Sequence, residues 1–112
     1  MKKVVYSFLV AVTLISCEKQ DTIDNVDCSK VNSNYSAIIK PIIDANCLSS
    51  GCHNAGSVNG DFTNHAGLKA VADKGKLQDR LINQRNMPPS QPLPLEDLKK
   101  IKCWISSGAP NN

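Results

Sequence analysis

The apolar positions after residue 33 recur at helical spacing, and no stretch alternates in the way that a half-buried strand requires. A first helix is predicted over Tyr35–Asn46, because two pairs of isoleucines lie four residues apart: Ile38 with Ile42 and Ile39 with Ile43. Pro41 interrupts this pattern, since it lacks a backbone donor and clashes with the preceding turn. We therefore expect either a kink at Pro41 or a regular helix that begins beside it.

Three further helices are predicted downstream. The second covers Asn64–Asp73 and ends at Lys74-Gly75, and a short third helix covers Lys76–Asn83. Residues 84–94 contain four prolines and cannot form a regular helix. The clearest helical pattern is that of Leu95–Ser107, where one apolar stripe carries Leu95, Leu98, Ile101 and Ile105. The whole pattern predicts an all-α domain.

The amino terminus has the pattern of an export signal. Lys2 and Lys3 precede a mostly apolar run over residues 4–15, which is too short to span a bilayer comfortably. The following tetrapeptide, Leu14-Ile15-Ser16-Cys17, resembles a bacterial lipobox, in which the cysteine is acylated and becomes the new amino terminus. An uncleaved membrane anchor and an ordinary secretory signal are the alternatives.

These patterns divide the chain into three parts. We expect a lipoprotein signal peptide over 1–17, a flexible polar tether over 18–33 and one folded domain over 34–112. After the signal the only aromatic residues are Tyr35, Phe62 and Trp104. A core this thin is marginal for so small a domain, and a buried cofactor would supply the missing apolar mass.

The charge of the chain argues against a nucleic-acid-binding protein. The full sequence has 13 Lys and Arg and 10 Asp and Glu. Loss of Lys2 and Lys3 with the signal leaves eleven cations against ten acids, and no basic stripe or aromatic ladder is present. Three lysines of the last helix are expected to form a solvated face, with a docking patch for an acidic partner as the weaker alternative: Lys99, Lys100 and Lys102.

Chemistry-bearing residues cluster in the segment that runs from Cys47 to His53. Two thiols followed at once by an imidazole are typical of covalent haem attachment, although the usual spacing is C-x-x-C-H and this chain has two more residues between Cys47 and Cys52. A disulfide between these two cysteines and zinc ligation are the alternatives. Met87, followed by two prolines, is the candidate for the sixth iron ligand. A role as a core methionine, a ligand at His65 and an open sixth site remain open, and His65 is otherwise expected at the surface.

Taken together, these features give the chain a resemblance to the small class I c-type cytochromes. The resemblance runs from Tyr35 to Pro110: a helix leads into the Cys47–His53 segment, Met87 lies in a proline-rich loop, and a helix closes the chain. It implies three to four helices around one covalently bound haem c, with thioether bonds at Cys47 and Cys52 and with His53 and Met87 as axial ligands. Attachment segments with four intervening residues resemble those of some bacterial envelope cytochromes.

The resemblance also implies a use for each of the five cysteines. With Cys17 acylated and two thiols bonded to haem, Cys28 and Cys103 remain and are expected to form a disulfide. The sequence by itself leaves three pairings open among four cysteines.

The function that this resemblance implies is electron transfer by a lipid-anchored monohaem cytochrome, and we do not expect an enzyme. The implied location is the bacterial cell envelope, periplasmic or at the outer membrane. The implied partners are redox proteins of the envelope, the membrane is reached through the lipid, nucleic acid is not a partner, and the protein is expected to be a monomer. Two alternatives remain: a haem-containing small-molecule sensor or subunit of a larger redox enzyme, and a cofactor-free surface interaction module stapled by disulfides.

Overall fold

The computed structural model describes residues 22–112, which form four helices and contain no strand. The all-α prediction is therefore confirmed. The helices, with the helical turns that extend two of them, are α1 (Lys40–Asn46, preceded by a π-helical turn, Tyr35–Ile39), α2 (His65–Asp73), α3 (Lys76–Gln78, continued by a π-helical turn, Asp79–Asn83) and α4 (Leu95–Ser106). No helix among these residues is long and apolar enough to cross a membrane. The predicted signal peptide and the acylated Cys17 lie outside the described residues.

The start of α1 resolves the conflict at Pro41. The side chain of Asn34 accepts a hydrogen bond from the backbone N–H of Ala37 and caps the first turn. This turn is π-helical, and its last bond runs from the N–H of Lys40 to the carbonyl of Tyr35. The regular α-helix begins at Lys40, so that Pro41 lies in its first turn, where a missing donor is tolerated. The second of the two expected arrangements is therefore the one observed.

The core is built around α4. The side chains of Ile101 and Trp104 are fully buried, and α4 packs against the π-helical turn that precedes α1. The indole ring of Trp104 stacks on Tyr35 with the ring centroids 5.8 Å apart, and its Nε1 donates to the carbonyl of Pro110 at 2.9 Å. The ends of the described domain thus meet at one aromatic cluster.

The amino-terminal segment is held against α4. Cys28 and Cys103 form a disulfide, and two short 3₁₀ turns lie on this segment, Ile23–Asn25 and Cys28–Lys30. The side chain of Ile23 is buried, and its carbonyl accepts from Lys102 Nζ at 2.6 Å. The segment over residues 22–33, which the composition assigned to a tether, is therefore held against the domain at Ile23 and Cys28, while most of its side chains are exposed. A polar composition does not reveal this, because one disulfide and one apolar side chain are enough to fix the segment.

The lysines of α4 differ from the expected solvated face. Lys99 is only 6% exposed and pairs with Glu96 at 2.9 Å, whereas Lys100 is half-buried and pairs with Asp97 at 3.0 Å. The expectation is wrong for Lys99, since the amino-terminal segment covers this side of α4. Of the three lysines, only Lys99 is buried, whereas Lys100 and Lys102 are half-buried.

Helix α2 is capped by Asn64, whose side chain accepts from the backbone N–H of Gly67 at 2.9 Å. Gly67 lies so close to the preceding loop that a Cβ atom added there would overlap the carbonyl oxygen of Asp61. The loop that contains Asp61 lies in sequence between the Cys47–His53 segment and Met87. The close approach of α2 therefore helps to position the backbone beside the candidate site.

Replacing Gly67 by alanine is expected to destabilise the protein by about 1–3 kcal/mol, because the new methyl group must displace the loop at Asp61. Helix propensity alone predicts the opposite sign, a gain of about 0.8–1 kcal/mol. The exposed neighbour offers a control: Ala66→Ser should change the free energy of unfolding by less than about 0.5 kcal/mol. Urea unfolding measures both, and a more stable Gly67→Ala variant would contradict the close approach.

Candidate functional site

One cavity brings the predicted site residues together. It has a volume of about 670 Å³, and its lining includes Cys47, Cys52, His53 and Met87. This volume is that of a site for a cofactor-sized ligand, since such pockets measure about 300–1,000 Å³. Most of the remaining lining is apolar and comes from the 51–62 loop, α2, α3 and the proline-rich loop: Val58, Phe62, Val71, Leu77, Leu81 and Pro88. Two residues that are far apart in sequence, His53 and Met87, thus face a common space.

The two additional residues of the attachment segment are taken up by a closed turn. The backbone N–H of Cys52 donates to the carbonyl of Ser49 at 2.9 Å, and that of His53 donates to the carbonyl of Cys47 at 3.0 Å. Gly51 provides the positive φ of +79° that this turn requires. This turn brings the chain back to the end of α1, so that both cysteines line the cavity despite the longer spacing.

The two thiols of the cavity are free and differ in their surroundings. Cys47 is buried, Cys52 is half-buried, and no disulfide joins them. Burial, with a smaller contribution from the charge of Cys52, raises the pKa of Cys47 to about 11, so that this group is a neutral thiol at pH 7. The alternative of a disulfide between the two is not the arrangement observed.

The imidazole of His53 is oriented by two contacts. Its Nδ1 lies 3.2 Å from the carbonyl oxygen of Gly60, and its ring stacks on Phe62 with centroids 3.9 Å apart and planes 2° from parallel. A carbonyl only accepts hydrogen bonds, so Nδ1 carries the proton and Nε2 keeps its lone pair. A histidine held in this way through its second nitrogen is typical of metal ligands.

Gly60 and Phe62 are site residues that the sequence analysis did not identify. Gly60 has φ +109°, and a Cβ atom there would lie 2.9 Å from both Phe62 Cε1 and Val71 Cγ2. Only glycine therefore fits between the ring that stacks on His53 and the wall of the cavity. The Asn59-Gly60 pair was visible as a turn signal, whereas the partner of its carbonyl was not.

Met87 is distant from the attachment segment in sequence, but it lines the same cavity. Its side chain is half-buried and packs against the core, with Pro88 and Pro89 beside it on the cavity wall. The loop is tied to the end of α3 by a hydrogen bond from the backbone N–H of Asn86 to the carbonyl of Arg80 at 3.1 Å. A thioether is thus held at the cavity by a short, anchored loop.

His65 belongs to a different part of the molecule. Its Nε2 lies 2.8 Å from the carbonyl of Ala109, and its ring meets Tyr35 edge-on with centroids 4.8 Å apart. The expectation of a surface residue is wrong, since His65 is half-buried and links α2 to the carboxyl-terminal segment. It is not among the residues that line the cavity. The structure therefore gives no support to His65 as the alternative sixth ligand.

The zinc alternative finds no matching geometry in the described part of the chain. Between residues 22 and 112 no group of three His, Cys, Asp or Glu side chains converges in a way that could hold a metal ion by itself.

Comparison with known proteins returned no match. No protein-family model matches the chain, and neither a curated protein nor a solved structure is significantly similar to it.

Proposed function

We propose that this protein transfers electrons as a lipid-anchored monohaem c-type cytochrome. The observation that carries the proposal is a cavity of about 670 Å³ that is lined by two free thiols, an imidazole with an available Nε2 and a thioether. These are the donor types that covalent haem attachment and His/Met ligation require. The mostly apolar lining suits a flat, apolar cofactor.

Each residue of the proposed site has a distinct role. Cys47 and Cys52 would hold the cofactor through thioether bonds, and His53 and Met87 would be the axial ligands. Haem, when bound, supplies an iron that alternates between the ferrous and ferric states. The soft sulfur of Met87 would favour the ferrous state and so a relatively positive potential. The hydrogen bond to the Gly60 carbonyl would fix the orientation of the His53 ring.

The proposed location follows from the amino-terminal pattern. A signal peptide over residues 1–17 and acylation of Cys17 would anchor the protein in the bacterial cell envelope, periplasmic or at the outer membrane. Its partners would be redox proteins of the envelope. Because electron transfer requires no bound substrate, we propose a carrier and not an enzyme.

The visible spectrum of the purified protein tests the ligand set. Met87→Leu keeps the apolar volume of the side chain and removes its sulfur, so it separates ligation from packing. We expect the ferric protein to show a methionine-sulfur band, and we expect Met87→Leu to lose this band completely while its haem remains covalently bound.

Two outcomes would contradict the proposal. A high-spin ferric spectrum in the native protein would indicate an open sixth site and favour the small-molecule sensor. A band that persists in Met87→Leu would assign the sixth position to another residue. Pro89→Ala, which alters the same cavity wall without touching the sulfur, is the matched control and should keep the band.

A further inference from the structure

The charged residues of the cavity lie mostly on one wall and share one sign. Lys74 follows the end of α2, and Lys76 and Arg80 lie one turn apart on α3 and its extension. All three line the cavity and are exposed at its rim. Within the described residues none of their side chains forms a hydrogen bond or an ion pair, in contrast to the side chains of Lys40, Lys69 and the lysines of α4.

Among the described residues one carboxylate lines the cavity, and it is already hydrogen-bonded. Asp61 accepts from the backbone N–H and the hydroxyl of Thr63 and from the backbone N–H of Gly56. These bonds, led by that of the Thr63 hydroxyl, hold the pKa of Asp61 below its usual value. Asp61 therefore does not neutralise the rim, and the lining carries three cations against one acid.

Two pairs of side chains on α3 and its π-helical extension line the cavity, one apolar and one basic. Leu77 and Leu81 are buried and form part of its floor, while Lys76 and Arg80 precede them by one residue and form the rim. Like charges one turn apart repel each other and destabilise a helix unless an anion lies between them. The arrangement fits a ligand with a flat apolar body and anionic groups at one edge.

We propose that Lys74, Lys76 and Arg80 bind the propionate carboxylates of the haem and so orient its anionic edge towards α3. This inference rests on the proposed function and adds a specific binding role for three residues that neither attach nor ligate the cofactor. Arg80 can donate two parallel hydrogen bonds to a carboxylate, whereas the lysines act as point charges. The cations would keep the carboxylates ionised beside the iron.

The test is the pH dependence of the midpoint potential of the haem-loaded protein, measured without any partner. Ionisation of a carboxylate near the iron changes the potential, so a step marks its pKa. A cation within contact distance lowers a carboxylate pKa by about 1–3 units. We therefore expect Lys74→Gln/Lys76→Gln/Arg80→Gln to move this step to higher pH by about 1–3 units, whatever the absolute potential.

Matched variants separate this effect from others. Lys30→Gln/Lys40→Gln/Lys69→Gln removes the same charge away from the cavity and should leave the step in place. Asp61→Asn, introduced into the native protein and into the triple variant, excludes titration of the cavity's own carboxylate. If the triple variant does not accumulate, Arg80→Gln alone should move the step in the same direction by a smaller amount.

The outcomes distinguish this inference from the proposed function. A haem-bearing protein whose step stays at the same pH in the rim variants, or in which neither form shows a step, would overturn the carboxylate-binding role alone. A step that moves equally in the control variant would also overturn it, because the effect would then be one of net charge. A colourless native protein would overturn the proposed function itself.

Discussion

Replacing Cys47 and Cys52 together by alanine is expected to abolish covalently bound haem. Thioether bonds survive denaturation, whereas a cofactor held only by axial ligands and apolar contacts is released by it. A denaturing gel stained for haem should therefore show a coloured native band and a colourless Cys47→Ala/Cys52→Ala band after co-expression with haem-attachment machinery. This is the largest effect that we expect on function, a complete loss of signal.

The single variants test how the longer attachment segment is used. If both thiols are bonded, Cys47→Ala and Cys52→Ala each keep one thioether and should remain stained, and intact-mass measurement counts the bonds in each. Cys28→Ala/Cys103→Ala is the control, since it removes the other pair of cysteines and should keep the stain. A colourless native band would sink the cytochrome proposal and favour the cofactor-free interaction module.

Loss of the Cys28–Cys103 disulfide is expected to lower the free energy of unfolding by about 4 kcal/mol. The two cysteines are separated by 75 residues in sequence, and closing so long a loop removes much of the conformational entropy of the unfolded chain. The same change would release the amino-terminal segment, so that Ile23 loses a constraint on its burial against α4. Urea unfolding of the haem-loaded native protein and of Cys28→Ala/Cys103→Ala measures the difference.

A reductant provides the control for this second effect. With the iron kept ferrous in every sample, reduction of the disulfide should move the unfolding midpoint of the native protein towards that of the double variant, and it should leave the double variant unchanged, because thioethers are not reduced. Equal unfolding midpoints for the disulfide-bonded native protein and the double variant would contradict this prediction, because the disulfide would then not restrict the conformational freedom of the unfolded chain.

The helices of this protein were predictable because their signals are local. The isoleucine pairs of α1 and the apolar stripe of α4 each depend on residues within one or two turns. For Pro41 the sequence predicted either a kink or a first-turn position, since the constraint on its ring is a property of its own backbone, and the first-turn position is the one observed. The π-helical turn before it was not predicted, because it depends on how Asn34 caps the chain.

The sequence identified the residues of the candidate site, but it did not identify the contacts that orient them. Cys47, Cys52, His53 and Met87 could be chosen by residue type and order, and the structure brings them to one cavity. The contacts that orient them come from elsewhere: a glycine carbonyl holds the imidazole, and a phenylalanine ring stacks on it. No spacing rule predicts which backbone carbonyl will face a given ring.

The sequence by itself determined the all-α class, the approximate bounds of the helices and the residue types that can carry haem chemistry. These follow from periodicity, capping and the donor atoms of individual side chains, which do not depend on distant parts of the chain. Only the tertiary structure decided that Met87 shares a cavity with His53, that Lys99 is buried, and that Lys74, Lys76 and Arg80 line one rim. The physical reason is that burial and convergence depend on how distant elements pack, and packing is a property of the whole fold.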